Sequence, residues 1–197
     1  MNSAPELHLD PATSALVLID LQAFIQAAPA TPRSGADVIK MAASLAEGFR
    51  AAGALVVQVV ATLGVGGGVV LAHPPVDAPM TMQLPPDWDA IPAELGPDPR
   101  DVIVTKWGWD AFYGTDLDVQ LRRRGITTIA LGGVSASIGV ESTARHAYEL
   151  GYHQVFPEEA LASFTPDEYR HTLGTVFPRL GRVRSAEAVL TALLRVS

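Results

Sequence analysis

Cysteine is missing from the sequence altogether. A chain without thiols forms no disulfide, binds no metal through thiolates and offers no cysteine nucleophile. Thiol redox chemistry is excluded for the same reason. Any catalysis in this chain therefore has to use carboxylates, amines, imidazoles, hydroxyls or bound water.

Positive charge is scarce. The chain has 14 Lys and Arg residues against 21 Asp and Glu residues, so its net charge is -7 and its pI is near 5.1. Proteins that bind nucleic acids concentrate Lys and Arg on one face. The basic run at 122–124 falls at the end of a predicted helix, where cations are expected in any case. The composition therefore predicts no nucleic-acid partner.

Long apolar runs are also missing. No run approaches the roughly 20 residues of a membrane span, and residues 1–6 show no basic region followed by an apolar core. We expect no membrane partner and a cytoplasmic location. With 197 residues, 48% of them hydrophobic, the chain is predicted to form a single domain, 1–197, with a substantial core.

Apolar runs typical of buried parallel strands alternate with segments of helical periodicity. The predicted strands are 15–19, 54–60, 102–105, 127–131, 153–156 and 182–184. The predicted helices are 34–52, 115–125, 139–150, 165–177 and a last one from 185, with a short one near 88–95. Residues 23–32 are predicted to be a loop. This alternation favours an α/β fold with a parallel sheet and helices on both faces.

Two charged residues follow predicted strands. Asp20 ends the first strand and Lys106 the third, and ligands of parallel α/β sheets bind at the carboxyl ends of strands. A carboxylate and an ammonium at neighbouring strand ends stabilise each other, and they supply an acid/base beside an electrostatic clamp. A purely structural ion pair is the alternative interpretation.

Side chains near these charges extend the candidate site. Gln22 is predicted to bind a substrate or to hold Asp20, with an ordinary polar loop residue as the alternative. Aromatic residues after Lys106 either wall an apolar pocket or pack at a subunit contact. They are Trp107, Trp109, Phe112 and Tyr113. We assign substrate binding to Trp107 and Phe112 among them.

The turn 132–139 joins the fourth strand to its helix through small residues. Small residues let a ligand approach the backbone, and amides at a helix start favour anions. Val134, Ser135 and Ser137 are therefore candidate substrate-binding residues, with a plain glycine turn as the alternative. The glycine cluster 64–68 fits neither the dinucleotide fingerprint nor the P-loop, and it is predicted to be a flexible loop.

The sequence gives little support for a metal site or for a serine hydrolase triad. No ligand spacing to Asp or Glu is present at His73, His146, His153 or His171. The Gly-x-Ser-x-Gly elbow of serine hydrolases is absent, and Ser137 and Ser142 have no evident base. We predict no metal and no cofactor.

Four segments together are similar to one known family. Residues 15–22, 104–106, 111–117 and 133–144, in this order, resemble the isochorismatase-like hydrolase superfamily. The resemblance implies a three-layer α/β/α fold with a six-stranded parallel sheet. It also implies a small-molecule substrate and a homodimer or homotetramer, in which partner residues sometimes line the site.

The resemblance assigns roles to three residues. Most members hydrolyse amides through an Asp, a Lys and a Cys, and Gly139 stands here at the position of that Cys. Isochorismatases work without the Cys by protonating a vinyl ether carbon, after which water captures the oxocarbenium ion. By this resemblance Asp20 is the general acid, and Lys106 orients Asp20 and the substrate. A non-proline cis peptide is expected at Val134–Ser135, with nearby amides forming an anion hole.

Two departures bear on the substrate. Isochorismatases carry Tyr-Ala-His where this chain has residues 135–137, Ser-Ala-Ser, and residues 61–99 contain no Arg or Lys to meet a dicarboxylate. Asp110 is expected to add negative charge near Lys106. We therefore expect a hydrolase for a small substrate less anionic than isochorismate. The alternatives are a catalytically silent ligand-binding relative and an amidase in which Asp20 activates water.

Overall fold

The structure, a computed structural model, describes residues 6–62, 76–77, 84, 86–96 and 98–194. The predicted flexible loop at 64–68 lies outside these residues. In the described part the strands form one sheet in which every pairing is parallel. The strands are Ser14–Ile19 (β1), Leu55–Ala61 (β2), Val102–Lys106 (β3), Thr128–Val134 (β4), His153–Pro157 (β5), Leu161–Ala162 (β6) and Arg182–Arg184 (β7).

The strand order is β3-β2-β1-β4-β5-β7, and β6 pairs with the end of β4. The predicted parallel α/β fold is confirmed. The six predicted strands are all present, and β6 is an addition. Because β6 has only two residues, it is too short to show any periodicity that would reveal it in the sequence.

Helices connect the strands. The α-helices of the described part are Ala23–Gln26 (α1), Gly35–Ala51 (α2), Leu117–Arg122 (α3), Glu141–Glu149 (α4), Pro166–His171 (α5), Phe177–Leu180 (α6) and Ala186–Leu194 (α7). Short 3-10 turns occupy Ala93–Leu95 and Glu158–Ala160, and π-helical turns occupy Ala136–Val140 and Thr172–Val176. No helix among these residues is both long enough and apolar enough to cross a membrane.

Burial on both faces explains why β1 reads as a continuous apolar run. Leu16 and Leu18 pack with α2 and α7 on one side of the sheet. Val17 and Ile19 pack with α3, α4 and α6 on the other. Alternate side chains of a strand point to opposite faces, so β1 sits between two apolar layers at the centre of the domain.

Local capping signals place two helices correctly. Ser34 accepts a hydrogen bond from the Asp37 amide at 3.1 Å and begins α2 one residue later. The capping box of Thr165 and Glu168 begins α5 as predicted. The predicted helix 165–177 continues through a π-helical turn into α6 and ends at Leu180.

Several predicted boundaries were wrong. The predicted loop 23–32 begins with α1, and the predicted helix near 88–95 is only the 3-10 turn Ala93–Leu95. β4 runs three residues beyond its predicted end at 131, through a Gly-Gly pair. A Cβ at Gly133 would lie 2.3 Å from the Ile19 carbonyl oxygen, so glycine allows β4 to keep pairing with β1 here.

Candidate active site

Asp20 lies directly after β1, at the carboxyl end of the sheet. Its backbone has φ 57°, a left-handed conformation that Asp adopts more readily than most residues. The Asp20 amide donates to the Val59 carbonyl at 2.9 Å, and its carbonyl accepts from the Gln22 amide at 2.8 Å. The backbone of Asp20 is therefore held firmly where the chain leaves the strand.

Lys106 is the last residue of β3, and β2 separates it from β1. Its Nζ lies 2.9 Å from Asp20 Oδ2. The ammonium also donates to the carbonyls of Gly108, at 2.8 Å, and Trp109, at 3.1 Å. An ammonium has three donors, so all of them have acceptors. The structure brings together the two charges singled out in the sequence.

Both charges are largely removed from water. The Lys106 side chain is 2% exposed and that of Asp20 is 14% exposed. Burial raises the pKa of Asp20 above its usual value of 3.8, and this outweighs the opposing effect of the Lys106 charge and hydrogen bond. Asp20 Oδ1 is buried and has no hydrogen-bond partner among the described residues. One carboxylate oxygen is thus fixed, while the other can hold a proton or accept one from a ligand.

Gly139 directs its Cβ position toward the same carboxylate. It lies in the π-helical turn that precedes α4. A Cβ built on Gly139 would be 3.0 Å from Asp20 Oδ2, 3.3 Å from Ile19 Cγ2 and 3.5 Å from the Trp109 carbonyl oxygen. Those distances are tight for a methyl group, so a side chain at this position would push against Asp20.

The turn before Gly139 is closed by its own hydrogen bonds. The peptide Val134–Ser135 is cis, as expected. The Ser135 carbonyl accepts from the amides of Ile138 and Val140, both at 3.2 Å, so those two amides are not free for an anion. Ser135 and Ser137 share a hydrogen bond of 2.9 Å between their hydroxyls. Val134 is buried in the core.

Gln22 is fully buried and contacts the backbone. Its amide nitrogen donates to the carbonyls of Ala61, at 3.1 Å, and Asp89, at 3.0 Å, and its oxygen accepts from the Ala61 amide at 2.8 Å. The prediction was that Gln22 binds a substrate or holds Asp20, but its side-chain amide is bonded to the backbone of Ala61 and Asp89. Both donors of the side chain are occupied, so Gln22 joins the end of β2 and the turn at Asp89 to the segment after Asp20.

The aromatic residues separate into two groups. Phe112 is 7% exposed and packs against the rings of His146 and Tyr152, with centroids 5.3 and 5.8 Å away. It therefore belongs to the core and not to the expected pocket wall. Trp107 and Trp109 remain 40% and 60% exposed beside Lys106, which suits a pocket rim or a contact surface.

Asp110 does not contact Lys106, contrary to the expectation. Its Oδ2 lies 2.5 Å from His146 Nδ1, and its Oδ1 accepts from the Phe112 amide at 2.9 Å. The contact joins a loop to a helix 36 positions away in the chain. No spacing rule for a single element could have revealed it.

The hydrogen bonds of Thr143, like the contact between Asp110 and His146, were not predicted from the sequence. Its side chain is fully buried in α4. The hydroxyl donates to the Gly139 carbonyl at 2.8 Å and accepts from the Ala111 amide at 3.0 Å. Back-bonding of threonine to the carbonyl four residues earlier is common in helices, but the second bond reaches a separate segment. Thr143 thereby connects α4 to the loop that follows Lys106.

Fold and site together define a class of protein. It is a three-layer α/β domain with a buried aspartate–lysine pair at the carboxyl edge of a parallel sheet. Residues 14–188 match the isochorismatase domain family. The chain belongs to the isochorismatase family and is an isochorismatase-family hydrolase.

Two relatives match nearly the whole of this chain, and a third matches about three quarters of it. The isochorismatase family protein YecD of Escherichia coli O157:H7 is 44% identical over 191 residues, which are 95% of this chain and 100% of YecD. A solved isochorismatase family protein from Burkholderia thailandensis is 46% identical, with a TM-score of 0.89 over 96% of this chain and 99% of its own. Streptothricin hydrolase of Streptomyces noursei is 38% identical over 152 residues, which are 76% of this chain but 50% of that enzyme.

Proposed function

We propose that this chain hydrolyses a small molecule without a covalent intermediate, with Asp20 as the general acid/base. The observation that carries the proposal is the arrangement of three residues. Asp20 Oδ2 lies 2.9 Å from Lys106 Nζ and 3.0 Å from the position that a Cβ on Gly139 would take. Gly139 takes the position of the family's cysteine by the sequence resemblance, so the carboxylate lies next to the point where a cysteine side chain would begin.

Asp20 suits the role of a proton donor. Burial raises the pKa of Asp20. The carboxyl group therefore keeps its proton to a higher pH than an exposed aspartate does, as a general acid requires. Lys106 fixes Oδ2 and leaves Oδ1 without a partner among the described residues. Oδ1 is therefore the oxygen that would carry the proton, while Lys106 holds its positive charge beside Oδ2.

Vinyl ether hydrolysis has the best precedent, because the isochorismatases that this chain resembles carry it out without a cysteine. The Asp20 proton is transferred to the terminal alkene carbon, which leaves an oxocarbenium ion. Water adds to the cationic carbon and returns a proton to Asp20. The hemiketal then breaks its carbon–oxygen bond, so the products are a ketone and an alcohol. No cysteine takes part in any step.

The charges of the site support a substrate with little negative charge. The Lys106 ammonium is already compensated by Asp20 and by two carbonyls, and residues 61–99 contain no Arg or Lys. Strong binding of carboxylates relies on bidentate Arg or several cations. We therefore assign a neutral or monoanionic vinyl ether as the substrate class.

The test is turnover of a panel of vinyl ethers, esters and amides by wild type and Asp20→Asn. Loss of a general acid lowers the rate about 10²- to 10⁴-fold, so kcat/KM of the variant should fall by this factor. Asp167→Asn, at a side chain 88% exposed, is the matched control and should retain wild-type rates. Equal rates for wild type and Asp20→Asn would reject the assignment.

Amide hydrolysis is the second candidate, and the similarity to the ureidoacrylate amidohydrolase RutB of Methylobacterium radiotolerans, 28% identical over 95% of this chain, favours it. In this version Asp20 would act as a base and activate water for attack on the amide carbon. The same panel separates the two, because a preference for amides over vinyl ethers selects the amidase. A third outcome, no turnover with a saturable thermal shift by a panel compound, selects the silent ligand-binding relative.

A further inference from the structure

We infer that Thr143 is a positioning residue of the active site. Its hydroxyl joins the loop after Lys106, at Ala111, to the turn at Gly139 that faces Asp20. The inference rests on the proposed function, since it concerns the same site. Thr143 contacts neither Asp20 nor Lys106 in the described hydrogen-bond network. It acts through the backbone on both.

The hydroxyl of Thr143 acts both as a donor and as an acceptor. The donor goes to the Gly139 carbonyl at 2.8 Å, and the Ala111 amide donates to the oxygen at 3.0 Å. Since the side chain is fully buried, water cannot replace either partner at low cost.

One end of this link leads to Lys106. Ala111 is two residues after Trp109, whose carbonyl accepts from Lys106 Nζ at 3.1 Å. Gly108, whose carbonyl accepts at 2.8 Å, belongs to the same segment. Holding Ala111 in place therefore holds two of the three acceptors of the ammonium.

The other end leads to Asp20. Gly139, the acceptor of the Thr143 hydroxyl, directs its Cβ position to within 3.0 Å of Asp20 Oδ2 and 3.5 Å of the Trp109 carbonyl oxygen. The turn and the loop are thus packed together directly around the ion pair. A shift of about 1 Å between reacting groups can lower a rate about 10²-fold, so the Thr143 bridge has a measurable consequence.

A second threonine provides the matched control. Thr172 is 1% exposed, and its hydroxyl donates to Glu141 Oε2 at 2.9 Å. It is buried and hydrogen-bonded like Thr143, yet its bond joins two helical segments and includes no residue of the Asp20–Lys106 pair. Thr143→Val and Thr172→Val each remove a buried, hydrogen-bonded hydroxyl.

The experiment compares Thr143→Val, Thr143→Ser and Thr172→Val with wild type. Thr143→Val should lower kcat about 10- to 100-fold with little change in KM, while Thr143→Ser, which keeps the hydroxyl, should stay within about 3-fold. Thr172→Val should keep kcat within about 3-fold despite a similar loss of melting temperature. If Thr143→Val does not fold, Thr143→Ala replaces it in the comparison with Thr143→Ser.

A second readout needs no turnover. Lys106 lowers the pKa of Asp20, so a loosened Lys106 should let the pKa of Asp20 rise further. Titration of the Asp20 carboxyl carbon by NMR should show an upward shift in Thr143→Val and none in Thr143→Ser or Thr172→Val. If the wild type turns over no compound, the proposed function fails, but this titration still decides the role of Thr143. An Asp20 titration and a kcat in Thr143→Val equal to those in Thr172→Val would overturn the inference.

Discussion

Strand β3 has a buried ion pair at each end, and the two pairs differ in how completely they are hydrogen-bonded. Asp101, directly before the strand, lies 2.6 Å from Arg50 Nη2. Asp101 Oδ1 accepts from Arg50 Nε, and Oδ2 also accepts from Gln58 Nε2. At the other end, Lys106 binds one oxygen of Asp20, and the second oxygen has no partner among the described residues.

The difference separates a structural pair from a reactive one. The Arg50 guanidinium is further tied to the carbonyls of Leu95 and Gly96, and its hydrogen bond to Asp101 raises the pKa of Arg50. Both carboxylate oxygens of Asp101 are hydrogen-bonded within the protein. Asp20 keeps a buried oxygen with no partner among the described residues, which costs stability and is compatible with a functional site.

The largest expected effect on stability is at the structural pair. Asp101→Asn leaves the buried Arg50 charge without its carboxylate, so the free energy of unfolding should fall by about 3 kcal/mol. Urea unfolding measures this loss. Activity per folded molecule should stay within about 3-fold, because the pair lies at the opposite end of β3 from Lys106. Wild-type stability combined with strongly reduced activity would contradict the division between the two pairs.

The second prediction concerns pH. The pKa of folded Asp20 lies above the usual 3.8, so the native state binds this proton more tightly than the unfolded state. The stabilisation of the native state by this proton is therefore fully present below about pH 3.8, and it is lost as the pH rises through the raised pKa. The stability of wild type relative to Asp20→Asn should fall with rising pH.

Urea unfolding of both proteins between about pH 4 and about pH 8 measures this difference. Asp101→Asn, measured over the same range, serves as the comparison at the other end of β3. A wild-type advantage over Asp20→Asn that grows with pH would mean that Lys106 lowers the pKa of Asp20 more than burial raises it.

The smallest effect is expected at an exposed pair. Arg145 lies 2.9 Å from Glu141 one helical turn away, and its side chain is 58% exposed. Arg145→Gln should change the free energy of unfolding by less than about 0.5 kcal/mol, because water and salt screen such pairs. A loss as large as that of Asp101→Asn would show that burial is not what distinguishes the pairs.

Much of the fold was predictable because its signals are local. The apolar run of β1, the Ser34 cap of α2 and the capping box at Thr165 each depend on a few neighbouring residues. Asp20 and Lys106 were predictable for a related reason. Polar residues directly after buried strands of a parallel sheet converge at one edge, whatever the rest of the chain does.

Other parts of the site were not predictable from the sequence. Asp110 was expected to add negative charge near Lys106, and its carboxylate contacts His146; Phe112 was assigned to a pocket but packs in the core. Gln22 was expected to bind a substrate or to hold Asp20, and its side-chain amide is bonded to the backbone. The partners of these side chains come from segments that only the packing of the domain brings close, so no local sequence pattern predicts them.

The amino-acid sequence by itself determined the parallel α/β architecture, the absence of any thiol and the two charges at the strand ends. Hydrophobic periodicity and residue chemistry are properties of short segments, so they can be recognised from the sequence without a structure. Only the tertiary structure decided that one oxygen of Asp20 is bonded while the other lacks a partner among the described residues, that the Cβ position of Gly139 faces this carboxylate and that Thr143 bridges the two flanking segments. These are distances between elements far apart in the chain, and packing alone sets them.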